Sequence, residues 1–198
     1  MKGLSRERVV AAALELLDEE GLAKLSMRRL GERLGVQAMS LYRYVASKEA
    51  LLDALHSELL SAIPIPDPDA EWRAAARSLA EGFRDQLRRH PNALPLFATR
   101  PAIAPRSLRV VERALELLAR AGLDPAAQVW ALNGLFGLVL GTASLHFEAA
   151  PGVDPAALDP AELPRASAIP LGGLDPEAGF VFALEALLEG IARSAAQG

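Results

Sequence analysis

Apolar residues recur at helical spacing along most of this 198-residue chain, and nearly every interruption is a glycine or a proline. In RERVVAAALELLDEEG the residues Val9, Ala12, Ala13 and Leu16 fall on one face, and Gly21 ends the run. Ser5 stands where a helix N-cap is needed, because its hydroxyl can accept from a free N–H of the first turn. SMRRLGERLG repeats Leu30 and Leu34 four apart behind a second cap, Ser26. Gly35 closes it, since glycine takes the left-handed cap without a steric penalty. A third short helix is expected over 37–44, and Ser47 then caps a fourth, KEALLDALHSELLSAI. PIPDPD, from Pro64 to Asp69, cannot extend that helix, because proline lacks the N–H donor and clashes with the preceding turn.

Beyond this break the same periodicity predicts helices near 72–90 and 93–98, and another in SLRVVERALELLARAG up to Gly122. A long apolar helix over about 124–149 and a last helix over about 176–195 follow. Six prolines between Pro151 and Pro176 predict a long, partly mobile loop. No stretch alternates with the period of a strand. The fold class is therefore all-α. The chain divides into an N-terminal three-helix helix-turn-helix domain at 1–46, a connector helix at 47–65 and a larger helical domain at 66–198.

Composition narrows the setting. Half of the residues (51%) are hydrophobic but only 5% are aromatic, so the core is built from Leu, Ala and Val. The absence of cysteine excludes disulfides and thiolate metal sites and fits a reducing, cytoplasmic location. The N-terminal segment is amphipathic and carries acids, unlike a signal peptide. The most apolar run, VWALNGLFGLVLGTASLHF, is broken by Asn133 and three glycines, and no uninterrupted run approaches the roughly 18 residues of a membrane span. No membrane partner is expected.

The net charge of −4 hides an asymmetry. Between positions 24 and 48 lie Lys24, Arg28, Arg29, Arg33, Arg43 and Lys48 against Glu32 alone, a net of +5. Such a block on an acidic body is either a nucleic-acid patch or a solvated helix face, and charge alone does not separate the two. The surrounding pattern does. A helix ending at Gly35, a short turn and a second short helix make a helix-turn-helix, which works by placing its second helix in the major groove. Val36, Leu41 and Val45 point inward by their spacing, leaving Gln37, Ala38, Met39, Ser40, Tyr42, Arg43 and Tyr44 largely outward. Gln37 suits adenine, Arg43 suits guanine, and Ala38 or Met39 can touch a thymine methyl. The Tyr42 hydroxyl and Lys48, at the start of the next helix, suit phosphate.

These residues resemble the N-terminal domain of the tetracycline-repressor (TetR) family. AAALELLDEEGLAKLSMRRLGERLGV is similar to its first two helices, and MSLYRYVASKEALLDAL to its recognition helix and connector. LFATRP, LARAGL and GFVFALEALLEGI resemble segments of the effector domain in its tetracycline-type branch. The resemblance implies a homodimeric, ligand-responsive transcriptional regulator, by the family's default a repressor. It would bind a palindromic double-stranded DNA operator and be released by a small molecule held in the larger domain. It places Arg28, Gln37, Ala38, Met39, Ser40, Tyr42, Arg43, Tyr44 and Lys48 at DNA-contact positions. Ala38 and Arg43 differ in type from tetracycline-type repressors, which implies a different operator sequence.

The effector domain departs from that branch. Where tetracycline-type repressors hold a drug–magnesium chelate with Asn, His and Glu, this chain has Leu79, Leu96 and Leu145, and no histidine lies near 61–65. A hard cation has no ligands there, so neither a metal nor another cofactor is expected. The expected pocket is largely apolar, formed by Leu79, Phe83, Leu96, Phe97, Val111, Leu135 and Phe136, with Thr99, Arg100 and Asn133 as its polar members. Arg100 faces either a ligand acid or a structural carboxylate such as Glu112.

Gly134, Gly137 and Gly141 interrupt the long helix at about 1 kcal/mol each relative to alanine, which points to close packing. Phe180, Leu184, Leu187, Leu188 and Ile191 line the last helix. Together these two helices, near 124–149 and 176–195, are the expected dimer interface, with subunit core as a compatible alternative. His56, His90 and His146 are scattered without metal spacing, and His90 belongs at a helix end. No nucleophile–base signature, phosphate loop or HExxH motif is present, so an enzyme is not expected. A helical carrier or interaction module whose head no longer binds DNA is the competing class, and the basic block argues against it.

Overall fold

The computed structural model describes residues 3–67, 69–102, 104–144, 159–165, 167–168 and 175–196, all helix, turn and loop. The N-terminal head comprises α1 (Arg6–Glu20), α2 (Met27–Leu34) and α3 (Ala38–Leu41). The connector is α4 (Lys48–Ser61). The larger part holds α5 (Trp72–Arg89), α6 (Leu94–Thr99), α7 (Pro105–Arg120), α8 (Pro125–Ser144) and α9 (Pro176–Ala195).

The caps are where local chemistry requires them. Ser5 Oγ accepts from Arg8 N at 3.2 Å, Ser26 Oγ from Arg29 N at 3.3 Å and Ser47 Oγ from Ala50 N at 3.0 Å. Gly35 ends α2 in the left-handed region, with φ 68° and ψ 31°. The third helix is shorter than expected. Gln37 is its extended N-cap, and after Leu41 the chain tightens into turns, with Tyr44 N donating to Leu41 O at 2.9 Å.

Gly31 lets α3 and the turn before it pack closely on α2. A Cβ on it would lie 2.8 Å from Val36 O and 3.1 Å from Ala38 N, so only glycine lets the turn approach α2 this closely. Val9, Ala13, Leu17, Leu30, Leu41 and Val45 are buried in the head's core. That core continues without a break into Leu51, Leu55 and Leu59 of α4.

α4 packs against α1 on one side and α7 on the other, so it belongs to both parts of the molecule. A second tether joins the head to the larger part. His90, the C-cap of α5, places Nδ1 2.9 Å from Asp18 Oδ2, and Asn92 Nδ2 donates to Asp18 O at 2.9 Å.

α8 packs on α5, α7 and α9. An 18-residue window of this 20-residue helix reaches a mean hydropathy of 1.3, so by length and composition alone it could cross a membrane. Asn133 and the glycines interrupt its apolar character without lowering the average far enough. Only Leu135 and Val139 of this helix are buried, while Val129 and Trp130 stand exposed.

Among the three glycines of α8, only Gly134 has a neighbour, Leu187, and a Cβ on Gly137 or Gly141 would meet nothing within 4 Å. On α9, Phe180, Leu184, Leu188 and Ile191 are subunit core, and the exposed apolar side chains are Val181 and Phe182. Leu145, His146, the end of the long helix beyond Ser144 and most of the proline-rich loop lie outside the described residues.

Candidate functional site

The basic block divides into two groups. Arg29 pairs with Glu20 at 2.5 Å, and Arg33 pairs with Glu19 and Glu15, so these two guanidinium groups join α2 to α1. Arg28 is 81% exposed and reaches only Glu32, at 3.5 Å. Lys24, Arg43 and Lys48 are also exposed. The positive surface of the head is therefore carried by four of the six cations, and the other two are structural.

Around α3, Gln37, Met39, Tyr42 and Arg43 point into solvent, with Met39 75% exposed. Ala38, Ser40 and Tyr44 are half-buried rather than fully outward. Ala38 packs where the turn meets Gly31, and Tyr44 packs partly against the core, because the tightened turn after Leu41 draws it inward. Lys48 sits in the first turn of α4, behind the Ser47 cap.

A partly open cavity of about 400 Å³ lies between α4, α5, α7, α8 and the turn after α6. Leu79 and Phe83 of α5, Val111 of α7, Asn133 and Phe136 of α8, and Arg100 all line it. Leu96, Phe97 and Thr99 do not. Leu96 and Phe97 are packed into the core behind the wall, and Thr99 turns its hydroxyl back to Pro95 O at 2.7 Å on the exposed side of α6. The position of the wall is thus set by which side of α6 faces α8, not by proximity in sequence to Arg100.

The sequence pattern did not identify His56 as part of this wall, yet its ring lines the cavity. It is 3% exposed and tilted against Phe97, with ring centroids 4.9 Å apart. Burial pushes its pKa below the ordinary histidine value; the Arg100 charge adds to that, and Asp53 opposes it. The signal available in the sequence was spacing: Glu49, Asp53 and His56 follow one another at i, i+4 and i+7 on α4, a single helix face.

Rings continue along the wall. Phe83 meets Phe97 edge-on at 5.0 Å and stacks on Phe136 at 5.1 Å with 9° between planes.

Arg100 connects this cavity to the connector helix. Its guanidinium is paired with both Glu49 and Asp53 of α4, and its Nη1 also donates to Glu49 O at 3.4 Å. The structural carboxylates are therefore on α4, not at Glu112. Arg106 of α7 adds a pair with Glu58 at 3.2 Å. Where the sequence resemblance implies Asn and His ligands, Leu79 presents carbon to the cavity and Leu96 lies in the core. Among the described residues no group of three His, Asp or Glu side chains converges on a common point.

An all-α chain with a helix-turn-helix head, joined by a shared helix to a cavity-bearing body, defines a class of DNA-binding regulator. Residues 9–55 match the tetR family of bacterial regulatory proteins, and residues 65–195 match the tetracyclin repressor-like C-terminal domain. The chain is 33% identical over 199 residues to the tetracycline repressor protein class D of Escherichia coli, covering 96% of this chain and 90% of that one. It is 39% identical over 142 residues to the HTH-type transcriptional repressor DrrR1 of Streptomyces coeruleorubidus. That match takes in 71% of this chain but spans only 53% of the relative's length.

In structure it is similar to the TetR family protein ActR of Streptomyces coelicolor, solved in complex with actinorhodin. The TM-score is 0.85 at 27% identity, over 98% of this chain and 99% of that one. The chain belongs to the TetR family of bacterial regulatory proteins, and its relatives are transcriptional regulators.

Proposed function

We propose that this protein is a ligand-responsive transcriptional repressor that binds a palindromic operator as a homodimer and is released by a small, largely apolar effector. The observation that carries the reading is the Arg100 bridge. One side chain lines the cavity and holds Glu49 and Asp53 of the helix that leads from the head. A ligand that rearranges the Arg100 turn changes the position of α4, and α4 sets the position of the head. For this to act as a switch, the ligand must favour the rearranged state over the DNA-bound one.

In the head, Gln37, Met39 and Arg43 are the base readers of this account. Arg28, Tyr42 and Lys48 contact phosphate, and Ala38, Ser40 and Tyr44 shape the surface between them. In the body, Leu79, Phe83, Val111, Phe136, Asn133 and Arg100 contact the effector, with Leu96 and Phe97 supporting them from behind, while Thr99 faces away on the outer side of α6. The ligand set differs from that of tetracycline–magnesium sensing, because carbon stands at the positions of two chelate ligands. ActR, solved with actinorhodin bound, supports an organic ligand in the body of this fold.

The second copy sits on α8 and α9. Val129, Trp130, Val181 and Phe182 are exposed there, and the open glycines Gly137 and Gly141 allow another helix to approach closely. That covered face also accounts for the hydropathy of α8 without a membrane. The reading places the protein in the cytoplasm, with its operator. Selection of bound genomic fragments followed by footprinting tests it. A protected palindrome of two half-sites is expected, and recovery of fragments without a shared sequence contradicts the reading.

A further inference from the structure

The cavity wall contains one buried polar group that the protein itself leaves unused. The His56 imidazole is 3% exposed, lines the cavity and makes no hydrogen bond to any described residue. The buried side-chain atoms without a partner among the described residues are Arg113 Nε and Glu185 Oε1, so the His56 nitrogens are not sealed in protein but open onto the cavity, where a bound group can complete them. Among the described residues its one ring neighbour is Phe97, in a tilted contact that involves no hydrogen bond.

The surroundings specify what completes it. Asp53 and Glu49 lie on the same face of α4 as His56, and both are already paired with Arg100, whose guanidinium also faces the cavity. A ligand oxygen beside His56 therefore lies next to a cation held by two carboxylates. An anionic oxygen satisfies both groups, because it accepts from the imidazole N–H and draws on the guanidinium charge. The rest of the wall is apolar apart from Asn133, and it includes Phe83 and Phe136, whose rings are nearly parallel at 9°. The volume, about 400 Å³, lies within the ordinary range of small-molecule pockets, about 300–1,000 Å³.

We propose that the cavity selects a flat aromatic acid, with its rings against Phe83 and Phe136 and its anionic oxygen between the His56 imidazole and the Arg100 guanidinium. This rests on the reading of the cavity as the effector site and adds the chemistry that the site reads. It also supplies the switch with a differential contact. The ligand acid competes with Asp53 and Glu49 for Arg100, so binding weakens the hold of the turn on α4.

The probes are anthracene-2-carboxylate and its methyl ester, titrated by fluorescence into the full chain and into His56→Phe and His56→Gln. The acid should bind the wild-type protein at least tenfold more tightly than the ester. His56→Phe should bring the two within about twofold, and His56→Gln, which keeps a hydrogen-bonding group, should retain part of the preference. The preference is a ratio within each folded variant, so loss of stability in one variant does not imitate the result. Equal binding of acid and ester by the wild-type protein, or an unchanged preference in His56→Phe, overturns the proposal while leaving the cavity as a ligand site. Failure of both probes to bind overturns the cavity reading, and the proposal falls with it.

Discussion

Arg100, in the turn after α6, is ion-paired with Asp53 on α4, forty-seven positions earlier in the chain. This pair links the wall of the cavity to the helix that carries the head. Asp53 is 45% exposed, and partly exposed pairs contribute only about 0.2–1 kcal/mol to stability, so the pair is a positional link rather than a main source of stability.

A double-mutant cycle of Arg100→Met and Asp53→Asn, read out as affinity for operator DNA, should give a coupling of about 0.5–3 kcal/mol. Either single variant should fold with a thermal midpoint near that of the parent. Additive effects on DNA affinity would show that the pair does not transmit the signal.

Arg43→Ala and Lys48→Ala should behave differently. Loss of Lys48 should weaken binding to all sequences alike and lower the slope of log affinity against log salt by about 1. Loss of Arg43 should change which bases are preferred at one position of each half-site, at about 1–3 kcal/mol. Selection of binding sites from a random DNA pool by each variant checks this. Identical preferences in both would remove Arg43 from base reading.

Gly31→Ala places a Cβ 2.8 Å from Val36 O, and backbone must move to make room for it. Overpacking of this kind costs about 1–3 kcal/mol. The variant should lose DNA affinity while the distant cavity continues to bind its probe. DNA binding at parental strength would mean that the turn adjusts freely.

Trp130→Glu combined with Phe182→Glu should yield monomers in sedimentation velocity experiments, since both side chains are exposed on the helices assigned to the second copy. Dimers that persist unchanged would place the interface elsewhere.

His56 also affects stability below neutral pH. Burial lowers its pKa in the folded protein, the Arg100 charge lowers it further and Asp53 partly offsets this. The unfolded chain therefore takes up a proton at this position first, near the ordinary value of about 6.5. Stability falls as pH drops through that value and goes on falling until the folded imidazole itself titrates. His56→Phe should lose less of its thermal midpoint than the parent between pH 7.5 and 5.5. An equal loss would show that His56 takes up its proton at the same pH in the folded and unfolded states.

Much of the head could be read directly from the sequence, because its determinants are local. Ser5, Ser26 and Ser47 cap as their positions require, and Gly35 adopts the left-handed cap. The partners of Arg100 could not be read, since Glu49 and Asp53 meet it only after α4 and α6 are packed together. His56 was missed for the same reason: a lone histidine on a helix shows nothing about the space it faces. Thr99 was expected in the pocket, but it ends α6 on the exposed side, and the chain turns extended at Arg100 (φ −126°, ψ 130°), so the two neighbours face different ways. The acids that occupy Arg29 and Arg33 lie on α1, so a count of charge along α2 and α3 overstated the unpaired positive charge of the block.

The most direct measurement is the affinity of the purified chain for the DNA flanking its own gene and for a scrambled control, by fluorescence anisotropy over a series of salt concentrations. The account predicts nanomolar binding to the flanking DNA, a preference of about 10³-fold or more over the control, and a steep fall with salt. Weak binding of equal strength to both DNAs would contradict it.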